Sequence, residues 1–265
     1  MLTAPLRMAV VGNSHVLTLL EGYQLVGGRL PAGLELSFIA RGPQKIGYVV
    51  ASPAGLERRE PTGSLVDLVG ELAATHLFVT WKGSQANLRG LMLRGPAFDV
   101  VLPADGERLP DPEIELVPCS AVEAYVRATL DGDEELALLI DRGLKRGAKV
   151  WLMGPPPALP VGAVRERLGN ESHFAARLGE IGISAADVQI VAAPVRVRLR
   201  TILLGVYREF AAAHGAGFCP PPSRVADEAG VLLPEFWGKD ITHGSATYGA
   251  AYLQELLTLA VAARD

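Results

Sequence analysis

Three residues near the two ends of the chain have side chains suited to nucleophilic catalysis. Ser14 lies in Gly12-Asn13-Ser14-His15, where the apolar run over residues 7–11 gives way to helical spacing. Asp240 and His243 stand three residues apart in the polar stretch "FWGKDITHGS", just before a final amphipathic segment. A serine hydroxyl is a weak nucleophile until a base takes its proton, and an imidazole becomes a good base when a carboxylate orients it. At the start of a helix, unpaired N–H groups and the positive end of the helix dipole would also favour an oxyanion beside Ser14. Each piece has a structural alternative: Ser14 or Asn13 could cap the first helix, and Asp240 or Thr242 the last.

The remaining chemistry-bearing residues are weighed against packing. His76 begins an apolar strand, and His173 and His214 fall in helical patterns, which suits structural or solvated roles. His15 adjoins Ser14, and consecutive residues on a helix diverge, so it is read as a wall of the site rather than its base. Asn13, His15, Trp81, Lys82 and Gln85 form the candidate substrate pocket. Trp237 also flanks these loops, although core or rim packing explains the tryptophans and Lys82 equally well. Arg196, Arg198 and Arg200 alternate with apolar residues and read as a solvated helix or strand edge rather than an anion clamp. The stretch "DGDEELALLIDRGLKRG" is an acidic helix start and a basic helix end, which complements the dipole without a ligand. "GPPPALP" lacks the lysine and the glycine spacing of a phosphate loop. No cluster supports a metal, and no cofactor motif is present.

The elements that must position these residues follow from periodicity. Short apolar runs at 7–11, 34–40, 76–81, 148–153 and 188–193 read as strands, with 98–102 as an extra or edge strand. Helical spacing covers about 14–28, 63–74, 120–147 with a break near Gly132, 163–181, 196–214 and 245–263. Alternating strands and helices predict a mostly parallel sheet covered on both faces, a doubly wound three-layer α/β/α arrangement. Ligands bind such sheets beyond the carboxyl ends of the strands, where Gly12-Asn13, Arg41-Gly42-Pro43, Gly83-Ser84 and Gly154-Pro155-Pro156-Pro157 would lie together.

Composition bounds the rest. The chain has 265 residues, 49% hydrophobic and 20% charged, enough for one large core, and evenly spread strand signals predict a single domain over 1–265. A formal net charge of −4 gives no field that would hold a polyanion, so nucleic acid is not an expected partner. No apolar stretch reaches the roughly 18 residues of a membrane span, and "MLTAPLRMAVVG" has no signal-peptide pattern. A cytoplasmic location is the expectation, with Cys119 and Cys219 as buried thiols.

The order of these blocks resembles the SGNH, or GDSL-type, hydrolase superfamily. Gly12-Asn13-Ser14-His15-Val16 resembles its first block, Asp240-Ile241-Thr242-His243 its last, and "GSATYGAAYLQEL" its closing segment. Val16 rules out a Gly-x-Ser-x-Gly elbow and disfavours the α/β-hydrolase fold. The resemblance implies a flavodoxin-like sandwich on a mostly parallel five-stranded sheet, with Ser14 as nucleophile, His243 as base and acid, and Asp240 as its orienter. It also implies an oxyanion hole made by the Ser14 N–H, a glycine after the second strand (Gly42, or Gly47 in its place), and a side-chain amide after the third. That last block, "TWKGSQANLRGL", departs from the family's Gly-x-Asn pattern and leaves Asn87 or Gln85 for the role. Asn13 also departs from the family, whose members often carry aspartate there. The implied activity is hydrolysis of a small or carbohydrate-linked acyl ester through an acyl-enzyme on Ser14, with no cofactor. Acyl transfer by the same triad, or a catalytically silent binding protein of this fold, are the alternatives.

Overall fold

A computed structural model describes residues 6–28, 30, 33–42, 45–81, 96–102, 113–170, 176, 178–180, 182, 184 and 187–263. Its strands are β1 (Leu6–Gly12), β2 (Leu34–Arg41), β3 (Ile46–Ser52), β4 (Gly55–Arg59), β5 (His76–Thr80), β6 (Phe98–Val101), β7 (Glu115–Pro118), β8 (Lys149–Met153) and β9 (Gly217–Cys219). Its principal helices are α1 (His15–Leu25), α2 (Leu65–Glu71), α3 (Cys119–Asp131), α4 (Glu134–Lys145), α5 (Val161–Asn170), α6 (Ala193–Ala213) and α7 (Ala246–Ala262). Seven strands form one sheet in the order β4-β3-β2-β1-β5-β8-β9, and β6 pairs with β7 apart from it.

The five strands β2-β1-β5-β8-β9 are mutually parallel, while β3 and β4 extend the edge as antiparallel strands. Successive side chains of a strand face opposite ways. Met8 and Val10 of β1 therefore enter the core beneath α1, α5 and α7, and Ala9 and Val11 enter the one beneath α2, α3, α4 and α6. Burial on both faces explains why β1 and β5 read as unbroken apolar runs. The chain leaves β1 toward β2 and later leaves β5 toward β8 on the other side, so the carboxyl ends of β1 and β5 mark the point where strand order reverses.

The structure corrects three details of the sequence reading. Residues 188–193 form no strand: Pro194 sits in the first turn of α6, where its fixed φ suits helix initiation. The fifth parallel strand is instead β9, whose three residues are too few to show a period. The β3–β4 hairpin is additional to the strands expected from the sequence. Every residue of β4 is exposed, and the charges of Glu57, Arg58 and Arg59 guard a free edge. Arg196 and Arg200 are not solvated. Arg196 is 6% exposed, with its Nε donating to the Val191 carbonyl (2.9 Å) and its Nη2 to that of Leu159 (2.6 Å). Arg200 donates to the carbonyls of Pro156 and Pro155, and Arg198 pairs with Asp99 at 2.7 Å. Carbonyls of a proline-rich stretch lack ladder donors, and these guanidinium groups supply them.

One helix crossing brings the chain ends together. A Cβ on Gly22 of α1 would lie 2.2 Å from the Ala250 nitrogen, and one on Gly249 of α7 would lie 1.9 Å from the Thr18 carbonyl oxygen. The two backbones touch because neither residue carries a side chain. This contact sets the amino end of α1 beside the amino end of α7. Among the described residues no helix is long and apolar enough to cross a membrane.

Candidate active site

The turn after β1 is fixed by close packing. Gly12 has φ +149°, and a Cβ there would fall 1.9 Å from the Thr80 carbonyl oxygen of β5. A side chain at this position would push the two central strands apart, so the turn opens directly into α1. The helix start is served by Asn13, whose Oδ1 accepts from the His15 N–H (3.3 Å), and not by Ser14, which makes no side-chain capping bond.

The freed Ser14 hydroxyl lies 2.7 Å from His243 Nε2, and His243 Nδ1 lies 2.7 Å from Asp240 Oδ2. The loop that carries this pair is held shut by an antiparallel bridge between Trp237 and Gly244 and by the Ser245 N–H donating to the Phe236 carbonyl (2.9 Å). Ser245 caps α7 by accepting from the Tyr248 N–H, so neither Asp240 nor Thr242 is spent on the helix. The Asp240 Oδ1 instead accepts from the backbone N–H groups of Thr242 (2.7 Å) and His243 (2.8 Å) and from the Thr242 hydroxyl (2.8 Å).

Electrostatics define the proton positions. Burial works to raise the Asp240 pKa, but the His243 ring's hydrogen bond and charge, with the two N–H groups, outweigh it and hold the carboxyl well below the usual range. An ionised carboxylate only accepts, so the ring proton sits on His243 Nδ1. Nε2 is left as the acceptor for the Ser14 hydroxyl. The Ser14 N–H, at the amino end of α1, donates to no acceptor among the described residues.

His15 lies behind this array rather than in it. The residue is 9% exposed, its ring lies 4.5 Å from the His243 ring centroid, and its Nε2 has no hydrogen-bond partner among the described residues. Burial, reinforced by His243 alongside, lowers its pKa to about 3 against an opposing pull from Asp240, so it is neutral at ordinary pH.

The other sequence candidates separate. Gly42 donates its N–H to the Lys45 carbonyl (2.9 Å), so this bond must break before Gly42 can serve an oxyanion. Gly47 lies inside β3, paired with Ala40. Trp81 does not line the cleft at Ser14: its indole N–H donates to Asp133 (2.8 Å), and it borders a small enclosed cavity shared with His15. Lys82, Gln85 and Asn87 lie outside the described residues. Cys119 is half-buried and Cys219 is buried, which pushes the latter's thiol up to about 12 and leaves it inert.

An open cleft of about 570 Å³ runs from Ser14 and His243 between α1 and the 237–246 loop. Leu17, Thr18 and Glu21 line one wall, Trp237, Gly238 and Lys239 the other. The α1 stripe escaped the sequence reading although positions 14, 17, 18 and 21 share one helix face, a signal available once Ser14 is placed at a helix start. The support of Trp237 had no such signal. Arg167 lies over its ring at 5.2 Å and donates to the Gly238 carbonyl (2.9 Å), a contact across seventy residues.

No known protein-family profile matches the chain, and no curated protein sequence matches it. Solved structures do. A DUF4886-family protein of Bacteroides uniformis is 10% identical, with a TM-score of 0.50 over 96% of this chain and 83% of that one. An extracellular lipase of Streptomyces rimosus is 13% identical, with a TM-score of 0.48 over 96% and 99%. A GDSL-like lipase of Bacteroides thetaiotaomicron is 13% identical, with a TM-score of 0.41 over 99% and 92%. The likeness is one of fold. The three-layer architecture that the resemblance of the end blocks implied is seen in the chain's own sheet and the helices on its two faces.

Proposed function

We propose that the protein is a serine esterase of the SGNH type that hydrolyses a small or carbohydrate-linked acyl ester through an acyl-enzyme on Ser14. The observation that carries this reading is the continuous relay from the Ser14 hydroxyl through His243 to Asp240, with both bonds at 2.7 Å. His243 Nε2 takes the hydroxyl proton as Ser14 Oγ bonds to the ester carbonyl carbon, and Asp240 stabilises the imidazolium that results. The oxyanion develops beside the Ser14 N–H at the helix amino end, the donor available there among the described residues. As the bond to the alcohol breaks, Nε2 returns the proton to the leaving oxygen. Water then attacks the acyl-enzyme by the same route, restoring the serine hydroxyl and releasing the acid.

Purified protein should hydrolyse small aryl acetates, and Ser14→Ala or His243→Ala should lower kcat by roughly a thousandfold or more. Equal turnover by the parent and either variant would refute the assignment. Transfer to a second alcohol uses the same residues, and comparing products with and without a sugar acceptor separates it from hydrolysis.

A further inference from the structure

The direction of the cleft identifies which half of an ester it holds. In the proposed reaction His243 Nε2 gives its proton to the leaving oxygen, so the alcohol must lie on the His243 side of Ser14. The 570 Å³ cleft opens on that side, since the loop that bears Asp240 and His243 forms one of its walls. That volume accommodates a group of sugar or disaccharide size.

The walls specify the chemistry of that group. Trp237 is held at one face by Arg167, and its indole N–H donates to the Leu232 carbonyl (2.7 Å), so the ring is rigid where it borders the cleft. A fixed aromatic surface favours a flat, partly apolar ring partner. Leu17 adds exposed apolar surface on the opposite wall. Glu21 and Lys239 flank these groups, and among the described residues neither has an ion-pair or hydrogen-bond partner. They present an acceptor and a donor to hydroxyl groups. Asp240 is balanced by His243, and Glu21 by Lys239, so the lining has no excess of cationic groups to hold a phosphate-bearing alcohol.

We propose that the cleft between α1 and residues 237–246 is the leaving-alcohol subsite and that it takes a neutral hydroxylated ring, the sugar of an acylated carbohydrate. This rests on the serine-esterase reading of Ser14 and His243.

The test uses the full chain and two ratios of kcat/KM. The alcohol ratio compares an acetylated methyl glucoside with 4-nitrophenyl acetate, and the acyl ratio compares 4-nitrophenyl acetate with the butyrate. Trp237→Ala and Glu21→Ala should each lower the alcohol ratio about tenfold, chiefly through KM, and move the acyl ratio less than about twofold. Glu21 is exposed on α1, so its variant reports on recognition even if loss of Trp237 disturbs the loop. The parent should also prefer the glucoside ester to acetylglycerol phosphate. A larger change in the acyl ratio, no change in either ratio, or no turnover of the sugar ester would overturn the proposal. If Ser14 is labelled by a fluorophosphonate while these ratios stay fixed, the subsite alone is wrong. If Ser14 resists labelling and no ester is turned over, the esterase reading fails and takes the subsite with it.

Discussion

Lowering the pH from 6.5 to 4.5 should destabilise the protein through His15. The imidazole is buried and neutral, with a pKa near 3, against 6.5 in the unfolded chain. Between those values the unfolded state binds a proton that the folded state refuses, so stability falls as pH falls. Each pH unit in this window removes roughly 1.4 kcal/mol per proton, and two units remove about 2–3 kcal/mol. That is a large share of the about 5–15 kcal/mol that holds a typical domain folded. Asp240 has the opposite kind of shift, a depressed acid pKa, and its contribution is present above the unfolded value of 3.8 and lost only below it. The Asp240 loss therefore begins below the pH range of 6.5 to 4.5. Urea unfolding of the parent and of His15→Phe at pH 6.5, 5.5 and 4.5 isolates the histidine, because all other titrations are shared. The parent should lose about 2 kcal/mol more than the variant across the range. Parallel losses would show that His15 is protonated in the folded protein and would refute the reasoning from its burial.

Asp240→Asn should leave the fold intact but lower kcat by about 10³–10⁴-fold, because an amide can hold His243 in the wrong tautomer, and steady-state kinetics on aryl acetates will show it. Gly249→Ala places a methyl 1.9 Å from the Thr18 carbonyl oxygen; it should cost about 1–3 kcal/mol in urea unfolding and reduce turnover by parting α1 from α7. Gly12→Ala meets the Thr80 carbonyl oxygen at the same distance and at a φ of +149°, so a loss of at least about 2 kcal/mol is expected from thermal or chemical melts. Arg196→Met leaves the Val191 and Leu159 carbonyls without donors, and the melt should show a destabilisation of about 1–3 kcal/mol.

The sequence revealed those parts of the fold that repeat a period over enough residues. The four longer parallel strands and the break between α3 and α4 were legible, the latter because Gly132-Asp133 supplies a stop and a cap, with Asp133 accepting from the Leu136 N–H. β9 was too short to read, and β4 shows charge rather than alternation because it is an exposed edge. Val188 and Val191 are apolar because they are buried in the core, although they belong to no strand. At the site, residue types and block order pointed to Ser14, Asp240 and His243, since a polar turn after a buried strand and an Asp-x-x-His loop both leave local traces. The cleft walls left none that could be read alone: Glu21 and Lys239 are ordinary surface charges until α1 and the last loop are placed side by side. The arginines of α6 misled because alternation with apolar residues resembles an exposed edge, whereas Arg196 and Arg200 reach carbonyls of the distant proline-rich stretch and Arg198 pairs with Asp99.

Treatment with a fluorophosphonate followed by peptide mass spectrometry shows whether His243 activates Ser14, because the reagent reports an activated serine without any assumption about substrate. Stoichiometric modification is expected at Ser14, slowed at least about a hundredfold in His243→Ala. An unmodified Ser14, or one modified equally fast without His243, would contradict it.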